Sequence, residues 1–333
     1  MDCQMKVPRS LSKTLLKMIT SEIYTQTSVN RILKLMGNRF EFTVIADDED
    51  SANCAIDLAV EEVRRIEYLL TTFSNFSETH KINEAAGLAP VKVSPEVFEL
   101  MERAIKISAI TDGAFDITYG SIDKSLWNFD LTMKSLPDAQ VALQSVSLID
   151  YRNIILNREA QTVLLKNKGM RIGFGGIGKG YAADKAMKVL KNAGIKSGIV
   201  NAAGDLVTCG RQLNGEAWTV GIADPDQTSR PFSALNVSNM AIATSGNYEK
   251  FVTINGKRYS HTIDPKTGLP VSGIKSVSVI CPSAELADAL ATPIVVMGVK
   301  VGLNLINQMH QVACIIIDDQ DQLFASKNIN LKY

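Results

Sequence analysis

Asp288 and Thr292 stand four positions apart, among Ala287, Ala289, Leu290 and Ala291. On a helix this spacing stacks a carboxylate and a hydroxyl on one face. An aspartate in so apolar a run needs a partner. Two hard oxygens suit a magnesium ion that also takes phosphate oxygens and backbone carbonyls. The same spacing allows a blander arrangement, in which Thr292 bonds back to the helix backbone while Asp288 faces water. On the metal reading Asp288 serves the ion rather than the packing, so its removal is expected to change stability little.

A second cluster is Gly175-Gly176-Ile177-Gly178-Lys179-Gly180, between a strand and a helix. Small residues there let backbone N–H groups and a helix N-terminus approach a phosphate. The spacing is neither Walker nor G-x-G-x-x-G, and a tight strand-to-helix turn needs glycines in any case. Lys179 favours an anion, since a cation held in such a turn is costly without one. His261 ends a hairpin strand just before Thr262-Ile263-Asp264-Pro265-Lys266-Thr267-Gly268. That places a proton acceptor at a rigid turn, with Asp264 near enough to orient the imidazole. The competing reading is a capped turn in which Asp264 makes an Asx bond. Gly113-Ala114-Phe115-Asp116-Ile117-Thr118 and the later Trp127 and Phe129 could cover a ring system, or could end a helix and fill a core.

The elements that must position these groups alternate along the chain without a Pro/Gly/Ser linker. Residues 1–30 lack sustained periodicity and read as a tail or weak helix, leaving 31–333 as one domain. Phe40–Ala46 alternates as a strand. Ser51–Phe73 reads as an amphipathic helix with Ile56, Val60, Val63, Ile66 and Leu70 on one face. Ser94-Pro95 opens a helix that ends at Asp112-Gly113. Another helix runs from about Gly180 to Gly194, and Ser283 caps one that extends through Val296. Asn255-Gly256 supplies a type I′ hairpin turn in FVTINGKRYSH, and ACIIIDDQDQLFASK forms a closing hairpin. Hairpins mixed with helices predict an α+β fold with a largely antiparallel sheet.

The 333 residues carry 35 basic and 35 acidic side chains, so no net field favours a nucleic-acid backbone or an anionic membrane. Five scattered cysteines without a C-x-x-C pair argue against a disulfide framework or a zinc site and for buried free thiols. No segment is expected to reach the ~18 to 20 apolar residues of a membrane span. As written, the N-terminus lacks a secretory h-region and the chain reads as cytoplasmic; a signal removed ahead of Met1 would make it exported or lipid-anchored.

Taken in order, LMGNRF, INEAAG, GAFDITYG, LWNF, GGIGKGYAAD, NAAGD, ATSGNYEKF, YSHTIDPKTGLP and ADALAT resemble the ApbE family, the FAD:protein FMN transferases, from about Met36 to about Gly298. The resemblance implies FAD contacts at Met36, Phe73, Ala114, Phe115, Asp116, Lys179 and Ile263. Gly173 occupies the cofactor position where the family commonly has an aspartate. It implies magnesium at Asp288, Thr292 and the Gly176 carbonyl, with His261 as base. The activity implied is transfer of FMN from FAD to a Ser or Thr hydroxyl of an acceptor protein, releasing AMP. The acceptor would carry an Asp-x-x-Ser/Thr motif, as in a subunit of a membrane redox complex. Asp264–Leu269 imitates that motif but ends in Leu269, so the chain does not read as its own acceptor. A magnesium-dependent FAD pyrophosphatase and a non-catalytic FAD-binding protein are the alternatives.

Overall fold

Phe40, Phe42 and Val44 alternate along β2 (Asn38–Ala46) and are fully buried on one face, as the period-two pattern requires. β2 pairs with β1 (Thr27–Leu35) through a two-residue turn at Met36-Gly37, both with positive φ. β1 thus begins inside the stretch read as tail. A computed structural model describes residues 26–127, 133–223, 231–246 and 251–329. Cys3, Asn128 and Phe129 lie outside the described residues, as does most of that tail.

The main sheet adds β6 (Ser197–Ala202), β7 (Asp205–Cys209), β10 (Ala241–Gly246), β13 (Ile274–Cys281), β14 (Ala313–Asp318) and β15 (Leu323–Ala325). Its order is β1-β2-β6-β7-β10-β13-β14-β15, and every neighbouring pair is antiparallel. The expected α+β class with a largely antiparallel sheet is therefore what the chain forms. Smaller pieces are a three-stranded sheet of β3 (Val91–Lys92), β4 (Ile154–Asn157) and β5 (Thr162–Leu165), and two hairpins, β8 (Trp218–Ala223) with β9 (Pro231–Val237) and β11 (Phe251–Ile254) with β12 (Lys257–Ser260).

Three helices cover one face of the main sheet. α1 (Glu49–Leu70) is capped by Asp48, which accepts from Ser51 N at 2.7 Å, and buries the predicted Ile56, Val60, Val63, Ile66 and Leu70. It packs on β1, β2 and α5 (Gly178–Asn192), and α5 packs on α6 (Ala284–Ile306). α2 (Glu78–Glu84) meets α1 and α3 (Pro95–Ile110, capped by Ser94) meets α6, whereas α4 (Ala139–Ser145) lies against the Gly268 turn. The opposite face of the sheet is closed by Trp218, Val220 and Val237 of the β8–β9 hairpin against Ile45, Leu206, Ile242, Ile280 and Ile315.

α6 departs from the sequence expectation twice. It continues past Val296, breaking at Gly298 (φ 78°, ψ 167°) and resuming to Ile306. It also has 23 residues, and by length and composition it is apolar enough for a membrane span. Here that apolarity serves the core: α6 lies on β10 and β13, with Ala287, Leu290 and Ile294 fully buried.

Candidate active site

Gly180 and Ala284 mark the crossing of α5 and α6. A Cβ on Gly180 would stand 2.0 Å from the Ala284 carbonyl oxygen and 2.8 Å from Asp288 Cβ, so only glycine fits. Asp184 locks the crossing. Its carboxylate accepts from Ser283 Oγ at 2.8 Å and from the N–H groups of Ala284 and Glu285 at 2.9 and 3.0 Å. These are free donors of the first turn of α6, which an acidic side chain satisfies well.

The crossing brings Lys179 and Asp288 together. Asp288 is only 5% exposed, which rules out the solvent-facing arrangement. Its Oδ2 accepts from Gly180 N at 3.0 Å, and its Oδ1 lies 3.3 Å from Lys179 Nζ. The ammonium also contacts the carboxylate of Asp205, the first residue of β7. Burial opposes charge on Lys179, but the Asp288 and Asp205 carboxylates outweigh it and hold the ammonium above its ordinary range. Burial, and then the charge on Asp288, push the Asp205 carboxyl up, against the pull of Lys179. Thr292, one turn beyond Asp288, donates to Ser245 Oγ at 3.3 Å.

These donors fit a hard cation. The oxygens of Asp288 and Thr292 are of the type magnesium takes, and among the described residues no group of three or more His, Cys, Asp or Glu side chains converges to form an all-protein cage. An ion at Asp288 would displace the ammonium now beside Oδ1 and would draw its other oxygens from hydroxyl, carbonyl, water and phosphate.

Above this floor opens a cleft of about 950 Å³, lined by every predicted site residue except Asp288, which lies behind Lys179. Met36 enters from the β1–β2 turn, where its φ of 51° is a conformation that favours glycine or asparagine. Its methyl group would be 3.7 Å from a Cβ on Gly178. Phe73 follows the end of α1 rather than lying within it, and is 99% exposed at the cleft. Phe115 packs against Gly176, whose added Cβ would meet its ring at 3.4 Å. Gly176 precedes the N-terminus of α5, which has no side-chain cap. Nothing lies within 4 Å of a Cβ on Gly173.

Asp116 reaches the cleft, but its carboxylate also serves the fold: it accepts from Thr118 N and Oγ1 at 2.8 and 2.6 Å and from Tyr151 N at 2.9 Å. Ile263 is buried at 4%, and its N–H donates to the Tyr119 hydroxyl at 3.3 Å. His261 lines the same cleft from the end of the β11–β12 hairpin, whose Asn255 and Gly256 have the predicted positive φ of 51° and 76°. Asp264 builds its own turn, accepting from Lys266 N at 2.8 Å and Thr267 Oγ1 at 3.1 Å. The Asx turn, one of the two sequence readings, is thus present. Trp127 is 1% exposed and packs with Ile122, Val146, Val252 and Ile263, so it fills a core as well as bordering the cleft. Of the four described cysteines, Cys209, Cys281 and Cys314 are buried, whereas Cys54 is exposed.

Sequence reasoning assigned no role to Asp205, Asp184, Ser245 or Tyr119, although each lies in a quoted motif: NAAGD, GGIGKGYAAD, ATSGNYEKF and GAFDITYG. Their partners are distant in sequence.

The model of the ApbE family matches residues 36–316. The chain is 30% identical over 313 residues to a FAD:protein FMN transferase of Klebsiella pneumoniae (strain 342), covering 93% of this chain and 92% of that protein. A FAD:protein FMN transferase of Treponema pallidum (strain Nichols) is 31% identical over 293 residues, covering 82% and 81%. Among solved structures, the ApbE protein of Thermotoga maritima superposes with a TM-score of 0.80 at 27% identity, over 90% of this chain and 97% of that one. The flavin transferase ApbE of Vibrio cholerae superposes with a TM-score of 0.77 at 26% identity, over 91% and 98%. With both the family model and full-length relatives spanning the cleft and its floor, the chain belongs to the ApbE family.

Proposed function

We propose that this chain is a FAD:protein FMN transferase that moves the FMN half of FAD onto a Ser or Thr hydroxyl of an acceptor protein, with AMP as the leaving product. The observation that carries the reading is a single cleft holding Lys179 over the Asp205–Asp288 carboxylates, Thr292, the uncapped N-terminus of α5 and His261. A FAD molecule would lay its flavin against Met36, Phe73 and Phe115, whose apolar surfaces suit a ring system. Its diphosphate would meet Lys179 and the N–H groups at the start of α5. Asp288, Thr292 and the Gly176 carbonyl would hold magnesium, which neutralises charge on the diphosphate when bound.

His261 accepts the proton of the acceptor hydroxyl as its oxygen attacks the phosphorus of the FMN half. The bond from that phosphorus to the bridging oxygen breaks, and AMP leaves with the oxygen. Lys179 stabilises the charge that builds on the phosphoryl oxygens. The acceptor presents its hydroxyl within an Asp-x-x-Ser/Thr motif.

Incubation with FAD, magnesium and a peptide carrying this motif, followed by intact mass, tests the reading. The expected result is a peptide heavier by one FMN less one water, with AMP in equal amount. FMN and AMP released with the peptide unchanged would make the chain a pyrophosphatase. FAD bound but intact would make it a binding protein.

A further inference from the structure

Asp205 does not line the cleft. It lies behind Lys179 at 4% exposure, and its carboxylate touches the ammonium from the sheet side while Asp288 touches it from α6. Its place is fixed by the β6–β7 turn, where Ala203 and Gly204 have φ of 54° and 99° and Gly204 N donates to Asn201 Oδ1 at 2.8 Å. One ammonium therefore has two buried carboxylates. For a simple structural ion pair the second is superfluous, since the Lys179–Asp288 pair is already neutral and the extra carboxylate adds repulsion and desolvation.

The excess has a use if Asp288 must take up a cation. Its Oδ2 is held by Gly180 N, so the ion would compete with the ammonium for Oδ1. We propose that Asp205 is a positioning residue that retains Lys179 at the cleft floor once Asp288 is given over to the metal ion, so that the ammonium and the ion face the diphosphate side by side. The inference rests on the metal reading of Asp288 proposed above. With Asp205 in place, Lys179 exchanges two carboxylate partners for one and stays. Without it, two cations share a single carboxylate, and the ammonium leaves the floor.

The test is the amine reactivity of Lys179, read by mass spectrometry after brief labelling with an acetylating reagent, with and without magnesium and in the absence of FAD. Manganese titration measures ion binding in parallel. In the wild type, magnesium should change the labelling of Lys179 by less than threefold. In Asp205→Asn, magnesium should raise it at least tenfold, and FAD affinity in magnesium should fall at least tenfold. Labelling of Asp205→Asn that magnesium leaves unmoved while manganese still binds would overturn the proposal and leave the metal reading standing. So would a wild type as responsive as the variant. Wild type without saturable manganese binding, or Asp288→Asn that binds it unchanged, would remove the metal reading and the proposal with it. Asp205→Asn retains the neutral Lys179–Asp288 pair and is expected to fold; a variant that does not would show Asp205 to be structural and also overturn the proposal.

Discussion

Gly180 and Ala284 meet backbone to backbone: a Cβ on the glycine would lie 2.0 Å from the carbonyl oxygen of the alanine. Everything at the cleft floor depends on this approach, because it sets Lys179 on α5 against Asp288 on α6. Gly180→Ala must push the helices apart, and overpacking of this kind costs about 3 kcal/mol at the upper end of its usual range. Gly173→Ala, with nothing within 4 Å of the added carbon, should stay within about 0.5 kcal/mol of the wild type. Urea unfolding of the two variants gives the comparison. Equal stabilities would mean that the helices do not cross at Gly180.

What could be read in the sequence follows local rules. The Asn255-Gly256 turn, the Ser94-Pro95 helix start and the buried stripe of α1 each depend on residues a few positions apart. β1 escaped notice because it lies at the sheet edge, where TSVNRILKL mixes polar and apolar residues and buries only Leu35 fully. α6 was expected to end at Val296, two residues short of Gly298, yet the helix carries Pro293 in its interior and continues beyond Gly298. Gly298 makes a kink there rather than an end. The metal candidates Asp288 and Thr292 were visible through their helical spacing. Asp205 was not, since it meets Lys179 only after α5 has packed on the sheet.

Asp288→Ala should abolish magnesium-dependent transfer, since it removes the only charged ligand of the proposed ion. The structure changes the expected stability of this variant. The Asp288 carboxylate satisfies the buried Gly180 N–H and one side of Lys179, so its loss should destabilise by about 1–3 kcal/mol through the unpaired donor. Denaturant unfolding alongside turnover separates the two effects. Retained activity that still requires magnesium would place the ion elsewhere.

Glu96 joins three helices, accepting from Arg65 of α1 at 2.7 and 2.9 Å and from Tyr181 of α5, with Lys185 Nζ at 3.4 Å. The Arg65 guanidinium foremost, with help from Tyr181, lowers its carboxyl from 4.5 to about 2 against the effect of burial. A depressed carboxylate contributes stability that is fully present above its unfolded value and is lost as pH falls through its folded value. Glu96→Gln should therefore be less stable than the wild type at neutral pH, and the gap should close between pH 4.5 and about 2. Unfolding free energies across that window check the sign. A gap that widens with acidification would show that the carboxylate is not held by Arg65.

His261 borders the cleft just ahead of a turn that Asp264 holds together. Asp264 anchors that turn through Lys266 N and Thr267 Oγ1, and Gly268 N closes it on the Asp264 carbonyl at 2.9 Å. Removing the imidazole should therefore leave the hairpin and FAD binding in place. His261→Ala is expected to slow FMN transfer on the order of a hundredfold or more, because a general base acts on the transition state rather than on the bound ground state. FAD affinity should stay within about a few-fold, and added imidazole should restore part of the rate. If magnesium alone activated the acceptor hydroxyl and the ring only shaped the turn, the variant would lose FAD binding or stability instead. Transfer per bound FAD would then be unchanged and imidazole would have no effect, a result that would take His261 out of the proton transfer.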